Sequence, residues 1–432
     1  MVTSDNVGVF VPDKKGKALE FSSSLMKEQD SYLVPMEQSA KALSTAVVKV
    51  GDKVLEGSVI GKPCDRHGVF IYSPVSGKVA NIVQQLSLSG NIVDHVLIIA
   101  DKKNNVQRFP ILEQMDRKTL LERLMVSGII DDSGEPDYIK YVRKPIDKTR
   151  LIVSCVDNDP YLSSSEVTLR ENISACVKGA ESFMSLCGAP KITFVCTVKQ
   201  KSVIREFKKY IKENKTKHIT VDVIKNVYPL SVDEITRYST GKTLDAAGRH
   251  FMGLYIESVI TCKQFFDCIY KGIPAISRMV TVTGSGFVRK GNYEIKIGTT
   301  LKAVADFVGV NPSQNYKMIC GGVLNGQAQE SNNVSVSASV PGIIFLTQKD
   351  LNVEKESPCI NCGKCSDICP AKILPYKLEK FIQNGDYDFA KRYGLDACTS
   401  CGACSYICPA KRYLSQRITD AKNKLDSVGG LK

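Results

Sequence analysis

A chain of 432 residues, 43% hydrophobic and 24% charged, with no tryptophan and no low-complexity tract, exceeds one ordinary core and reads as roughly two to four packed globular units. The formal net charge of +13 is spread through Lys-rich stretches such as REFKKYIKENKTKH; without an aromatic-basic platform it argues for solvated helix faces, or steering of an acidic partner, and against nucleic acid. No apolar run reaches the roughly 18–20 residues of a membrane span, and MVTSDNVGVFVPDKKGK lacks the layout of a signal peptide, so the expectation is a cytoplasmic protein that could dock on a membrane complex without crossing the bilayer.

In chain order, residues 33–100 alternate short apolar runs with turn signals. TAVVKVGDKVLEGSVIG and FIYSPVSGKVANIV are two half-motifs of that kind and resemble barrel-sandwich domains of the biotinyl/lipoyl type. The Met-Lys carrier dipeptide of those domains is missing at the hairpin, which favours a structural or docking role. From about residue 112 helix and strand alternate. LEQMDRKTLLERLMVSGI has helical spacing with Gly128 as a stop, TRLIVSCV is a buried strand, and SSSEVTLRENISACVKGAESFMSLCG opens with helix-start chemistry and continues apolar on one face. KITFVCTV, a helix through SVIREFKKYIKEN and HITVDVIK complete a β-α-β-α-β order, the pattern of a mainly parallel sheet covered by helices. Residues 279–346 return to strand-like text, with hairpin, helix and strand in succession. A helical insert, LPYKLEKFIQNGDYDFAKRYG, separates two cysteine-rich stretches, and RITDAKNKLDSVGGLK predicts a frayed terminal helix.

Of the sixteen cysteines, eight lie in CINCGKCSDICP, from Cys359, and CTSCGACSYICP, from Cys398. In C-x2-C-x2-C-x3-C-P the first three cysteines wrap one cluster and the fourth, on the departing segment, ligates the other, so each copy needs its twin. The expectation is two [4Fe-4S] clusters, one held by Cys359, Cys362, Cys365 and Cys408 and the other by Cys398, Cys401, Cys404 and Cys369. Pro370 and Pro409 turn the backbone away, and Gly363 and Gly402 let main-chain amides approach the sulfides. Structural zinc fits less well, because it usually takes two cysteines per knuckle rather than three followed by Cys-Pro. The remaining cysteines (Cys64, Cys155, Cys176, Cys187, Cys196, Cys262, Cys268 and Cys320) sit in apolar contexts and are expected to be core residues of a reducing compartment. Cys64, in GKPCDRHG with Arg66 and His67 nearby, is also weighed as a reactive thiol and read instead as a turn cysteine.

Nearly the whole chain resembles a known family, the C subunit of the Rnf electron-transport complex and its relatives, among them a cobalamin reductase of propanediol microcompartments and an electron-transfer protein associated with proline reductase. The residues that carry the likeness are VVKVGDKVLEGSVIG with SPVSGKV, the α/β region, VTVTGSGFVRKGNYEIKIGTTL with CGGVLNG, and the doubled cysteine motif. The resemblance implies a multidomain α/β protein: a barrel-sandwich (lipoyl-like) β domain over 1–110, an α/β domain related to NADH/FMN-binding domains over 111–275, a β-grasp (SLBB-like) domain over 276–350 and a two-cluster ferredoxin-like domain over 351–432. It also implies electron entry from NADH through FMN. The family's glycine-rich flavin loop corresponds here to SGIIDDSGEPDYIKYVRKP, where Gly128 and Gly134 remain while Asp131, Asp132 and Glu135 stand where a phosphate would approach. An acidic-Cys-acidic-Pro element survives as Asp157, Asp159 and Pro160, with Asn158 in place of the cysteine.

Two readings of the loop follow: the flavin and NADH sites are lost, or flavin binds through an altered loop with Gly128, Gly134, Asp157 and Asp159 facing it. For Asp157 and Asp159 a cap or surface role competes equally. GSGFVRKG is a weak dinucleotide match, set in hairpin-like text. The expected function is relay of electrons through two clusters to a partner reductase, with proline reductase the leading example and the flavin site degenerate. A NADH dehydrogenase subunit using FMN and an assembly scaffold with structural clusters are the rivals.

Overall fold

The computed structural model describes residues 8–40, 42–145, 149–242, 246–285, 289–311, 316–351 and 354–429. Two four-stranded antiparallel sheets between residues 31 and 100 form the first β unit. One pairs Ser31–Pro35, Ile92–Ala100, Gly77–Leu86 and Lys53–Val54 in that order; the other pairs Glu37–Ser39, Ala42–Ala46, Val59–Pro63 and Ile71–Tyr72. Their inward residues, among them Tyr32, Val34, Ile60, Val79 and Ile98, make one apolar core, as strict in/out alternation along a strand requires.

The central sheet is parallel throughout, ordered Ile219–Ile224, Ile192–Thr197, Arg150–Ser154, Leu254–Ser258. The chain leaves Arg150–Ser154 in one direction and returns on its other side, so a topological switch point lies at the carboxyl ends of Arg150–Ser154 and Leu254–Ser258, where such sheets place ligands. Helices Ile173–Cys187 and Val259–Tyr270 cover one face, and they approach so closely that a Cβ on Gly179 would lie 1.9 Å from the Cys262 carbonyl oxygen. Phe183 is fully buried between them, with Phe265 at 4.7 Å and Tyr141 at 5.4 Å, centroid to centroid. The long helix expected from Ser163 to Gly188 is two helices, Ser164–Glu171 and Ile173–Cys187. Asn172 leaves helical geometry at φ −131° and turns its own amide and side chain back onto the Thr168 carbonyl.

The third unit has β-grasp order. Hairpin Ser277–Gly284/Gly291–Lys296 is crossed by helix Leu301–Val308, and Gly342–Thr347 returns parallel to Ser277–Gly284 with Tyr316–Cys320 and Gln327–Gln329 beyond it. Ser24–Leu25 adds to the free edge of this six-stranded sheet. Within GSGFVRKG, residues 286–288 lie outside the described residues; the flanks are strands of the hairpin.

The C-terminal unit is helical. The insert forms Pro375–Gln383 and Tyr387–Arg392, and the final helix runs Leu414–Gly429. This last helix is docked, not frayed as the polar sequence suggests, because Ile418 and Ala421 bury against Leu378, Ala390 and Leu395 with Leu425 packed on the same cluster. That spacing of three and four is an apolar helical stripe within otherwise charged text. A short strap ties the units together: Gly8 N–H bonds the Ile368 carbonyl at 3.0 Å, Val9 forms a β-bridge with Tyr228, and Lys14 N–H reaches the Pro160 carbonyl.

Candidate electron-transfer centres and the α/β cleft

The two cysteine motifs fold as copies of each other. In each, the second residue after the first cysteine is left-handed (Asn361 and Ser400, both φ 53°), as are Gly363 and Gly402, before a short helix, Lys364–Asp367 or Ala403–Ile407. Left-handed residues reverse the chain so that successive amides turn inward, a nest suited to anionic sulfur. Ser400 N–H lies 3.5 Å from the Cys398 sulfur.

Cys359, Cys362, Cys365 and Cys408 line one cavity together with Tyr376 and Arg412, and Cys369, Cys398, Cys401 and Cys404 line a second with Ile373 and Ile418. Each cavity thus receives three cysteines from one copy and the pre-proline cysteine of the other. Among the described residues no three His, Cys, Asp or Glu side chains converge as a single metal ion would need. The sulfurs surround a space instead, which suits a cluster of several atoms.

Their surroundings differ. Cys359 and Cys362 are exposed, whereas Cys369 and Cys404 are buried and Cys398 and Cys401 half-buried. The second loop is covered by the rest of the protein. Tyr228 donates its hydroxyl to the Cys401 carbonyl, and Ala403 packs on Val9 and Tyr228. A Cβ on Gly402 would meet the Leu324 carbonyl oxygen at 2.1 Å, so only glycine permits that approach. The module is pinned from behind by buried Glu379, which accepts two hydrogen bonds from Arg412 (2.7 and 2.8 Å) and another from Arg417; Arg417 also reaches Glu356 at 2.6 Å.

Asp157 and Asp159 lie where the chain leaves Arg150–Ser154. Asp157 is a cap: its carboxylate accepts from the amides of Ser165 (2.8 Å) and Glu166 (3.1 Å) and from the Ser164 hydroxyl. Asp159 is buried and accepts from the amides of Tyr161 (2.9 Å) and Leu324 (3.4 Å); burial pushes its carboxyl up to about 6 despite those donors. Asn158, in the position of the missing cysteine, accepts from the amide of Leu230 at 2.5 Å. Asn158 and Asp159 therefore join the α/β sheet to Leu230 and to the 322–326 turn, whose Leu324 lies against the second cluster motif.

Gly128 and Gly134 take left-handed φ values of 76° and 81°, and the loop between them closes on itself. The Asp131 carboxylate sits inside the turn and accepts from the amides of Ser133 (2.8 Å) and Glu135 (3.0 Å) and from the Ser133 hydroxyl (2.6 Å). Its other oxygen faces the Lys140 ammonium at 3.2 Å. Lys140 is also 2.7 Å from Asp137 and 3.1 Å from Glu257, and Tyr141 donates to Glu257 at 2.6 Å. Burial opposes the charge on Lys140, but the three carboxylates outweigh it and hold its pKa well above the usual value. Burial pushes the carboxyls of Asp137 and Glu257 up, and each faces the other. For Asp131 burial is overcome by Lys140 and Ser133, which keep it below the ordinary carboxylate range. Asp132 faces Arg278 at 3.4 Å. A flavin phosphate fits this loop poorly: the inward amides already bind a carboxylate, and the nearest ammonium already stands among three carboxyl groups.

Sequence reasoning located the loop and its acids but not Lys140 or Glu257, which meet across 117 positions of chain. The one local signal was the spacing of Asp137 and Lys140, an i,i+3 pair. Cys155, Cys176, Cys187, Cys196, Cys262, Cys268 and Cys320 are buried core residues as expected. Cys64 is exposed and contacts the Thr45 hydroxyl at 3.0 Å, while Arg66 turns to His67 rather than to the thiol.

Fold and site together define an iron–sulfur electron-transfer protein of several units. Its RnfC-like character is borne out by comparison with known proteins, in the order in which the units occur. Residues 4–103 match the RnfC barrel sandwich hybrid domain, 126–264 the Nuo51 FMN-binding domain, and 351–416 the 4Fe-4S dicluster domain. The chain is 28% identical over 400 residues to the C subunit of the proton-translocating ferredoxin:NAD(+) oxidoreductase complex of Clostridium ljungdahlii, covering 90% of this chain and 87% of that one. It is 27% identical to the corresponding subunit of the Na(+)-translocating complex of Acetobacterium woodii, covering 88% of each. Among solved structures, an NAD+-reducing [NiFe]-hydrogenase in the H2-reduced state shares the fold at a TM-score of 0.50 and 11% identity, over 74% of this chain and 62% of that chain. The chain thus spans less than two thirds of the hydrogenase chain. No helix among the described residues is long and apolar enough to cross a membrane.

Proposed function

We propose that this protein relays single electrons through two [4Fe-4S] clusters, held by Cys359, Cys362, Cys365 and Cys408 and by Cys369, Cys398, Cys401 and Cys404, to a partner reductase in the cytoplasm. Proline reductase is one candidate of that kind. The flavin and NADH site of the α/β unit is degenerate. The observation that carries this part is Asp131, whose carboxylate occupies the amide turn that a flavin phosphate would need and also engages Lys140. When bound, the clusters supply reversible one-electron storage. The chain's own residues space the sulfurs, direct amides at them and cover the second cluster with Tyr228, Ala403 and Leu324.

A second reading, transfer from NADH through FMN, is favoured by two observations. The α/β unit matches the Nuo51 FMN-binding domain, and the second cluster motif packs on Tyr228 and on Leu324, whose amide donates to Asp159 beyond strand Arg150–Ser154. Anaerobic purification followed by iron and acid-released flavin analysis separates the two. About eight irons per chain without flavin supports the relay. Stoichiometric FMN that NADH bleaches supports the dehydrogenase, and zinc in place of iron overturns both.

A further inference from the structure

The duplicated motif carries its own control. At matched positions the covered copy has Thr399 and Ala403 where the open copy has Ile360 and Lys364. Ala403 is buried against Tyr228 and Val9, as expected of a loop built to be covered from within. In the open copy the polarity is reversed: Ile360, at the loop tip beside two exposed ligand cysteines, is 66% exposed and has no apolar cover among the described residues. Lys364, four residues on, and Lys355, five residues before, are exposed with no carboxylate partner among the described residues. The other charges on this face are mostly matched, Lys411 by Glu354 at 3.3 Å and Arg412 by Glu379, leaving Asp367 as the one exposed acid of the short helix. An apolar tip flanked in the chain by two unpaired cations at a redox centre has the anatomy of a transient interface, a desolvated anchor with charges that speed encounter.

We infer that the face around Ile360, Lys355 and Lys364 is the docking surface for an acidic one-electron carrier protein, so that the cluster of Cys359, Cys362, Cys365 and Cys408 is the port of the relay. This rests on the two-cluster reading above. The step is a single outer-sphere transfer: the reduced cluster loses one electron, the carrier's oxidised centre gains it, and no proton or bond changes hands. The net charge of +13 adds long-range attraction, but the local cations set orientation.

The test uses the full chain with both clusters loaded, confirmed by iron content and electron paramagnetic resonance, and reduced with dithionite. Reoxidation is followed by stopped flow against the acidic haem domain of cytochrome b5, the basic cytochrome c and a small uncharged quinone. For the acidic acceptor the second-order rate should fall with salt and drop about tenfold in K355E/K364E. In K201E/K208E, an equal charge change on helix Lys201–Glu213 of the α/β unit, it should stay within about twofold. Ile360→Thr, which installs the residue of the covered copy, should lower the rate about threefold even at high salt. The quinone should not distinguish any of these proteins. Equal losses in K355E/K364E and K201E/K208E, or no loss in either, overturn the docking surface while leaving the relay intact. Failure of the wild-type chain to hold iron overturns the relay itself.

Discussion

The cluster module and the α/β cleft keep the same family folds but treat their donors in opposite ways. In the module, eight cysteines, with left-handed residues between them, line two spaces, four cysteines to each. In the cleft, the loop amides and the Lys140 ammonium have been given partners from the chain itself. A likeness of fold follows the residues that build the core, such as Phe183 and Phe265. Whether an anion can enter depends on a few loop residues that contribute almost nothing to that core. The two can therefore part company within one unit.

The contrast can be broken most sharply in the module. Cys404→Ser should lower iron from about eight to about four per chain, with helix content of the α/β unit unchanged by circular dichroism; unchanged iron would remove Cys404 from the ligand set. In the cleft, Lys140→Met leaves three acids without their cation and should cost about 3–5 kcal/mol in denaturant unfolding. The triple variant with Asp137→Asn and Glu257→Gln should recover much of that. Were Lys140 instead a free anion receptor, its removal would cost flavin and leave stability nearly unchanged.

Asp159 joins the two regions and gives a smaller, pH-dependent effect. Its carboxyl is raised from 3.8 to about 6, so between those values the folded protein holds a proton that the unfolded chain has released. Stability therefore falls as pH rises through that window and levels off above it. Relative to Asp159→Asn, the wild type should lose about 2–3 kcal/mol between pH 4 and pH 7, measured by urea midpoints; a constant difference would place Asp159 in a wetter setting. Smallest of all, Cys64→Ser should change stability by less than about 0.5 kcal/mol and leave electron transfer untouched, as for an exposed turn residue.

What the sequence disclosed follows how local each cause is. The proposed cluster ligands announce themselves because three of every four lie within seven consecutive residues, Cys359 to Cys365 and Cys398 to Cys404. The parallel sheet shows through runs such as LIVS and ITFVCT, which are apolar because both faces are covered. The self-contained loop around Asp131 was half legible. Its acids stand in plain view, but whether they repel a phosphate from outside or bind the turn from inside depends on where their oxygens point. The cage about Lys140 was hidden, since Glu257 arrives from the far edge of the sheet. The break at Asn172 was missed because one residue leaving helical geometry does not disturb the apolar stripe on either side. The docked terminal helix was legible in Ile418, Ala421 and Leu425, but the charged residues between them masked the stripe.

The strap at residues 8–14 has a consequence in time rather than in space. Its partners, Pro160, Tyr228 and Ile368, are synthesised long after it. Emerging from the ribosome well before them, it cannot complete these contacts until the first cysteine motif has emerged and folded. The junction between α/β unit and cluster module therefore closes among the last events of assembly, after slow long-range contacts have formed. A chain whose cysteine motif is unfolded leaves Gly8 without its Ile368 partner, so protease sensitivity near Val9 would report on maturation of a module hundreds of residues away.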